Sequence, residues 1–240
     1  MSEPLAISLL SSTLITASGQ TAALAVTGRQ RVAQVKINSS VLVGTGNLQL
    51  SFQRRDSTAE EWETVETFGV VSARSEEIGI KIGPLNRIDY ELEGLTSVTV
   101  SVSGTAHTVY AEPTDLTRLS VKPDALNEMT LAQLVDACIA ASAEADGYLG
   151  GAFKLPITAW DTDLRLKTAQ LAVANLFMLR GAEPDGPDAL VFDARNKALQ
   201  WFDKILAGRL RPPGIIDTAP EVFEAGAYVA SRPPRGYDDW

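Results

Sequence analysis

The sequence predicts an α+β multidomain protein: an N-terminal antiparallel β-sandwich, then an α-helical bundle, then an extended C-terminal arm. Three observations carry this expectation. From Leu5 to Tyr110 apolar residues recur at every second position, whereas from Tyr110 to about Leu210 they recur at threes and fours. Beyond Arg211, prolines and glycines interrupt any long element. The changes of period place domains at 1–110 and 111–210, with the arm at 211–240.

In the first part, Leu48, Leu50 and Phe52 alternate with Gln49, Ser51 and Gln53. Ile78, Ile80 and Ile82 alternate with Gly79 and Lys81, and Val98, Val100 and Val102 with Thr99, Ser101 and Ser103. Each stretch buries one face and wets the other. Ala22 to Val26, Ala33 to Ile37, Trp62 to Phe68 and Ile88 to Leu92 bring the total to roughly seven or eight short strands. Gly28, Gly44, Gly46, Gly69, Gly83–Pro84 and Gly94 read as the turns between them. Tyr90 to Gly94, leading into Ser97 to Ser103, looks like the last hairpin of an immunoglobulin-like sandwich.

In the second part, Glu112-Pro-Thr-Asp115-Leu116 reads as a capped helix start that ends before Pro123. Thr130 and Gln133 form a capping-box pattern ahead of a stripe running from Leu131 through Val135, Cys138 and Ser142 to Leu149. Asp161 caps a second helix that is apolar on most sides and runs to Leu179, where Gly181 and Pro184 end it. A third helix spans about Asp188 to Ala207, with Gly208 as its cap. On it Phe192, Leu199 and Leu206 repeat at seven beside the main stripe. Such a set contacts either a neighbouring subunit or a second side of its own bundle. The arm carries Phe223, Tyr228, Tyr237 and Trp240, more apolar surface than a solvated tail needs. It packs on a partner or folds back on its own subunit.

Composition narrows the chemistry. One cysteine, Cys138, excludes an intramolecular disulfide, and one histidine, His107, leaves little for a transition-metal site. Cys138 lies on an apolar helix face and reads as a small buried hydrophobe. His107 reads as a surface or linker residue. Gly44-Thr-Gly46 lacks a third glycine and a following helix, so no dinucleotide signature is present. The acidic pairs Glu60–Glu61, Glu76–Glu77 and Asp238–Asp239 read as solvated charge. Catalysis, a cofactor and a bound metal are therefore not expected. The net charge of −9 divides as −3, −4 and −2 over 1–110, 111–210 and 211–240, with no basic face for gripping DNA phosphates. No apolar run is long enough to cross a bilayer, and the start lacks the basic flank and apolar stretch of a secretory signal.

One run points further. Ala141-Ser-Ala-Glu-Ala-Asp146-Gly-Tyr148-Leu149 is followed by Phe153-Lys154-Leu155-Pro156. Together with Asp115 and Leu116 it resembles the head–tail adaptor proteins (head completion, neck or connector) of tailed bacteriophages and Mu-like prophages. The resemblance covers about residues 110–240; a typical member begins near Tyr110. It implies a structural virion protein, made in the host bacterial cytoplasm, whose copies form a ring, usually dodecameric, beneath the portal. That ring would join the DNA-filled capsid to the tail or stopper proteins, with double-stranded DNA passing through as non-specific cargo and no membrane involved. Asp115, Leu116, Asp146, Tyr148, Leu149, Lys154, Leu155 and Pro156 are the matching positions. Phe192, Leu199, Leu206, Phe223, Tyr228, Tyr237 and Trp240 are the candidate interface. The alternative is a decoration or adhesin-type binding module, with a carbohydrate-binding or immunoglobulin-like sandwich and Trp62 or Tyr90 as stacking platforms.

Overall fold

A computed structural model describes residues 4–26, 30–182, 186 and 188–217. Its β part contains β1 (Leu5–Ile15), β2 (Gly19–Gln20), β3 (Leu24–Ala25), β4 (Gln30–Arg55), β5 (Glu63–Val70), β6 (Arg74–Lys81) and β7 (Leu85–Thr108). All pairings are antiparallel. The α+β expectation holds, but the strands are not uniformly short: β4 has 26 residues and β7 has 24.

Both long strands bend midway, where their mutual register shifts repeatedly between Ser40 and Asn47. On one side of the bend the strand order is β1-β7-β4-β6; on the other, β2 and β3 together pair with β7, which pairs with β4, which pairs with β5. Val35, Ile37, Val100 and Val102 from the first row share one core with Leu48, Leu50, Phe52 and Ile88 from the second. The continuous sheet is thus folded on itself, and the two rows bury their inner faces against each other.

Four long segments wound side by side and bent across two four-stranded rows give the winding of a jelly roll. This corrects the immunoglobulin-like expectation. The stretch read as its last hairpin, Tyr90 to Ser103, lies within one continuous strand. Gly44, Gly46 and Gly94 are not turns between strands but the hinge of the fold. Gly94 has φ +76°, and a Cβ on Gly46 would lie 1.9 Å from the Glu93 carbonyl oxygen. Only a residue without a side chain allows the two backbones so close at the bend. Gly69 likewise lies inside β5. Gly28 is outside the described residues.

The helical part opens with a short turn, α1 (Pro113–Asp115), which continues as a wide turn over Leu116–Ser120, followed by a 3₁₀ turn at Pro123–Leu126. Three helices follow: α2 (Leu131–Leu149), α3 (Thr162–Leu179) and α4 (Ala189–Leu206). Their boundaries follow the capping chemistry. Thr130 Oγ1 accepts from the Gln133 amide while the Gln133 side chain accepts from the Thr130 amide, and Asp161 Oδ1 accepts from the Leu164 amide. Gly181 and Gly208 follow α3 and α4 at φ +81° and +68°. As its all-round apolarity predicts, α3 is central: Leu164, Ala169, Leu171, Ala172, Val173 and Leu176 are fully buried. Each such leucine contributes roughly 1.5–3 kcal/mol.

The two parts are packed together. Helix α2 lies on the outer face of β6, where a Cβ on Gly79 would meet Val135 at 2.8 Å. Gln34 Nε2 donates to Asp136 Oδ1 across the joint at 2.8 Å. Val32 on β4 and Val109, Tyr110 and Ala111 belong to the helical core, and β7 ends at Thr108, where the two cores meet. Cys138 is fully buried there, as expected, and burial pushes its thiol pKa well up.

His107 also lies in this joint, not in a linker. It pairs with Val32, and its Nε2 is buried with no hydrogen-bond partner among the described residues. Desolvation lowers its pKa below the ordinary 6.5, with Asp136 opposing that shift. The folded protein thus favours neutral His107, and the unfolded chain takes up the proton first as pH falls. The stability held by a neutral His107 is present above pH 6.5 and is lost progressively as pH drops below it. A His107→Gln variant should show a smaller stability loss than the parent between pH 7 and pH 5 in urea titrations. Equal losses would remove His107 as the source.

Candidate functional site

Tyr110 is the hub of the joint. Its amide donates to Ser142 Oγ at 3.0 Å, its hydroxyl donates to the Asp146 carboxylate, and its carbonyl accepts from Trp160 Nε1 at 3.1 Å. The Trp160 ring packs edge-on against it, with centroids 5.2 Å apart. The chain leaving the sandwich is thereby fixed to α2 and to the α2–α3 loop. Burial, reinforced by the neighbouring carboxylate, pushes the phenol pKa far up, so Tyr110 stays a neutral donor.

Asp115 is the second hub, and it is 2% exposed. Arg165 Nη2 lies 2.9 Å from both of its oxygens and Nε 3.3 Å from one, while the Glu112 amide donates to Oδ2 at 3.0 Å. Glu112 in turn faces Arg31 of β4 at 3.8 Å. These groups, with Tyr110 and Trp160, line a cleft of about 440 Å³. Two guanidinium groups face two carboxylates there, so the charges are spent on each other. Among the described residues, no cluster of histidine, cysteine and carboxylate groups could hold a metal. The chemistry of the arrangement is that of a brace.

The remaining matched positions continue the brace. Leu116 and Leu149 are fully buried, and Tyr148 stacks on Phe202 with centroids 5.6 Å apart. The Leu155–Pro156 bond is cis. The Lys154 amide donates to Asp217 at 2.9 Å, and Ile216 pairs with Ala159 as an isolated bridge. With Ile215 buried as well, residues 211–217 return to their own bundle. The arm expected from 211 therefore leaves the described structure only after Asp217.

Of the candidate interface, Phe192 and Leu199 are half-buried and pack against the helices of their own bundle. Leu206 is 48% exposed beside Gly151. Phe223, Tyr228, Tyr237 and Trp240 lie outside the described residues. On the sandwich, Trp62 is overlain by the Arg55 and Arg87 guanidinium groups at 4.4 and 4.3 Å, and Tyr90 is half-buried at the edge of the core. The Trp62 face is thus taken by cations, whereas Tyr90 also lines a surface cleft with Ser8, Thr21 and Leu24.

Residues 108–229 match the family model described as Bacteriophage Mu, Gp36, half of the chain. The chain belongs to this phage protein family. The Gp36-family match begins at the last residue of β7, so it takes in the helical part and leaves the jelly roll outside. No curated protein matches the chain. Among solved structures, the crystal structure of the SPBc2 prophage-derived protein YomS matches with 16% identity and a TM-score of 0.30. That match covers 44% of this chain and 96% of that one. None of the described helices is long and apolar enough to cross a membrane.

Sequence reasoning missed Arg165, Arg31 and Trp160. Asp115 and Arg165 are separated by 50 residues, and no period links them. Ser142 was legible only as a member of an apolar stripe. Its hydroxyl is spent on the Tyr110 amide, which explains a polar residue in that position.

Proposed function

We propose that this protein is a structural component of the phage virion, a head–tail adaptor whose copies form a ring between the portal and the tail or stopper proteins. The observation that carries the reading is the coincidence of the Gp36-family match with a helical unit whose matched residues brace the fold instead of assembling a reactive centre. The protein is made in the host bacterial cytoplasm and resides at the neck of the particle. It catalyses nothing and carries no cofactor. Double-stranded DNA meets it only as cargo in the lumen. A net charge of −9 supports this, because acidic walls offer few sites for counterion release.

A ring requires closed, heterologous self-association. Rotational symmetry and subunit mass in assembled particles should match those of the portal, with twelve copies expected from the family resemblance. A copy number that cannot match a portal would refute the reading, and would favour the decoration or adhesin-type module. Affinity for duplex DNA should be weak and salt-sensitive. Binding near the roughly nanomolar range of specific readers, or strong discrimination between sequences, would contradict a passive conduit.

A further inference from the structure

One end of the helical bundle is unusually apolar at its surface. Leu190 is 81% exposed, Leu179 77% and Met178 47%. Beside them runs a groove of about 470 Å³ floored by Val121, Ala125, Phe177, Val191 and Ala194, with Leu190 on its rim. Large apolar side chains gathered in this way mark an interaction surface. The groove also has a charge signature. Asp188 at its edge is paired with Arg180 at 3.5 Å, whereas Lys122 on the lining, and Arg118 of the preceding Leu116–Ser120 turn, which shares an adjoining cleft with Lys122, have no carboxylate partner among the described residues.

The occupant is named by the rest of the chain. Residues 218–240 lie beyond the described structure, and they begin Thr-Ala-Pro220-Glu221-Val222-Phe223-Glu224. Two adjacent apolar side chains flanked by two carboxylates complement an apolar groove with one unpaired cation, Lys122, on its lining and a second, Arg118, in the cleft beside it. Geometry then decides which copy supplies them. Asp217 is held at the opposite end of the bundle, by Lys154 and near the Leu206 end of α4. Leu190 and Leu206 are 16 residues apart on one helix, about 24 Å along the axis. Six residues from Asp217 to Phe223 span at most about 21 Å fully stretched, before any detour around the bundle. Fully stretched along the axis, the segment just passes Ala194, about 18 Å from Leu206, and stops short of Leu190 on the rim, so any detour around the bundle keeps it from filling its own groove.

We propose that Pro220 to Glu224 of one copy dock into the Leu190 groove of the next. Val222 and Phe223 fill the apolar floor, and Glu221 and Glu224 meet Lys122 and Arg118. The contact is head-to-tail, with a donor at one end of the bundle and an acceptor at the other, which is the geometry that generates a ring when its rotation closes. This inference rests on the ring reading and specifies its joint.

The test uses the full chain. Leu190→Cys and Phe223→Cys copies, differently tagged, are mixed under mild oxidation, and a double variant is oxidised alone. Cys138 is buried and does not compete. Mixed copies should give a disulfide-linked heterodimer, and the double variant a ladder of covalent oligomers. In parallel, a fluorescent peptide of residues 217–229 should bind the full chain saturably. Binding should weaken about tenfold on Leu190→Asp, the loss expected for one apolar anchor. The same should hold when the peptide carries Phe223→Ala. A double variant that closes only within one chain would overturn docking in trans. If the parent forms closed oligomers by sedimentation while cross-linking and peptide binding both fail, the ring stands and this joint is wrong. If the peptide binds the groove but assembled particles lack a portal-matched ring, the joint stands and the adaptor reading falls.

Discussion

Replacing Arg165 with alanine should destabilise the helical part by about 3 kcal/mol, the lower end of the roughly 3–5 kcal/mol lost when a buried ion pair is broken from one side. The lower end applies because the Arg165 side chain is 36% exposed, so water takes up part of the loss. Asp115, 2% exposed, would keep only the Glu112 amide as a donor. Arg165→Lys should recover little, since an ammonium cannot present the planar fork that meets both carboxylate oxygens. Arg165→Leu combined with Asp115→Leu should recover most of the loss, because the expensive state is the unpaired buried charge, not the absence of the pair. Urea unfolding of the four proteins checks this. A loss under about 0.5 kcal/mol for Arg165→Ala would show that Asp115 relaxes to solvent instead, as ordinary surface pairs do.

The same pair shows where the sequence stopped being readable. Helix ends were legible because their causes are local: Thr130 with Gln133, Asp161 with Leu164, and Gly208 each act within four residues. The alternation of Leu48, Leu50 and Phe52 was legible because a strand repeats every second residue. What failed depends on contacts between distant parts of the chain. Gly46 and Gly94 looked like turn residues, since nothing nearby reveals that Glu93 will lie against Gly46. The seven-residue set of Phe192, Leu199 and Leu206 fitted a neighbouring subunit as well as the bundle. Periodicity names a face but not its partner. At the candidate site, the resemblance selected Tyr110, Asp115 and Asp146, while Arg165 and the pairing of Tyr110 with Asp146 emerged only once the helices were packed.

Gly46→Val should cost more than about 4 kcal/mol, in the range that signals a specific steric failure rather than ordinary surface replacement. A Cβ at this position would sit 1.9 Å from the Glu93 oxygen and 2.8 Å from the backbone carbons of Glu93 and Gly94. The obstacles are main-chain atoms of the neighbouring long strand, so no side-chain rotation relieves them. The strands must separate at the bend, and the jelly roll loses the fold that brings Leu50 and Phe52 against Val35 and Ile37. The sandwich should therefore melt at a lower temperature than in the parent, followed by α2, which lies on β6. Gly147→Ala is the matched control. It adds the same first carbon at an exposed position inside α2 where nothing lies within 4 Å. There the added Cβ should stabilise by about 0.5–1 kcal/mol, the helix preference of alanine over glycine. Opposite signs for the two variants in thermal melts would tie the architecture of the N-terminal part to a single close approach at the bend. A Gly46→Val protein melting within a degree or two of the parent would mean that the sheet does not fold on itself there.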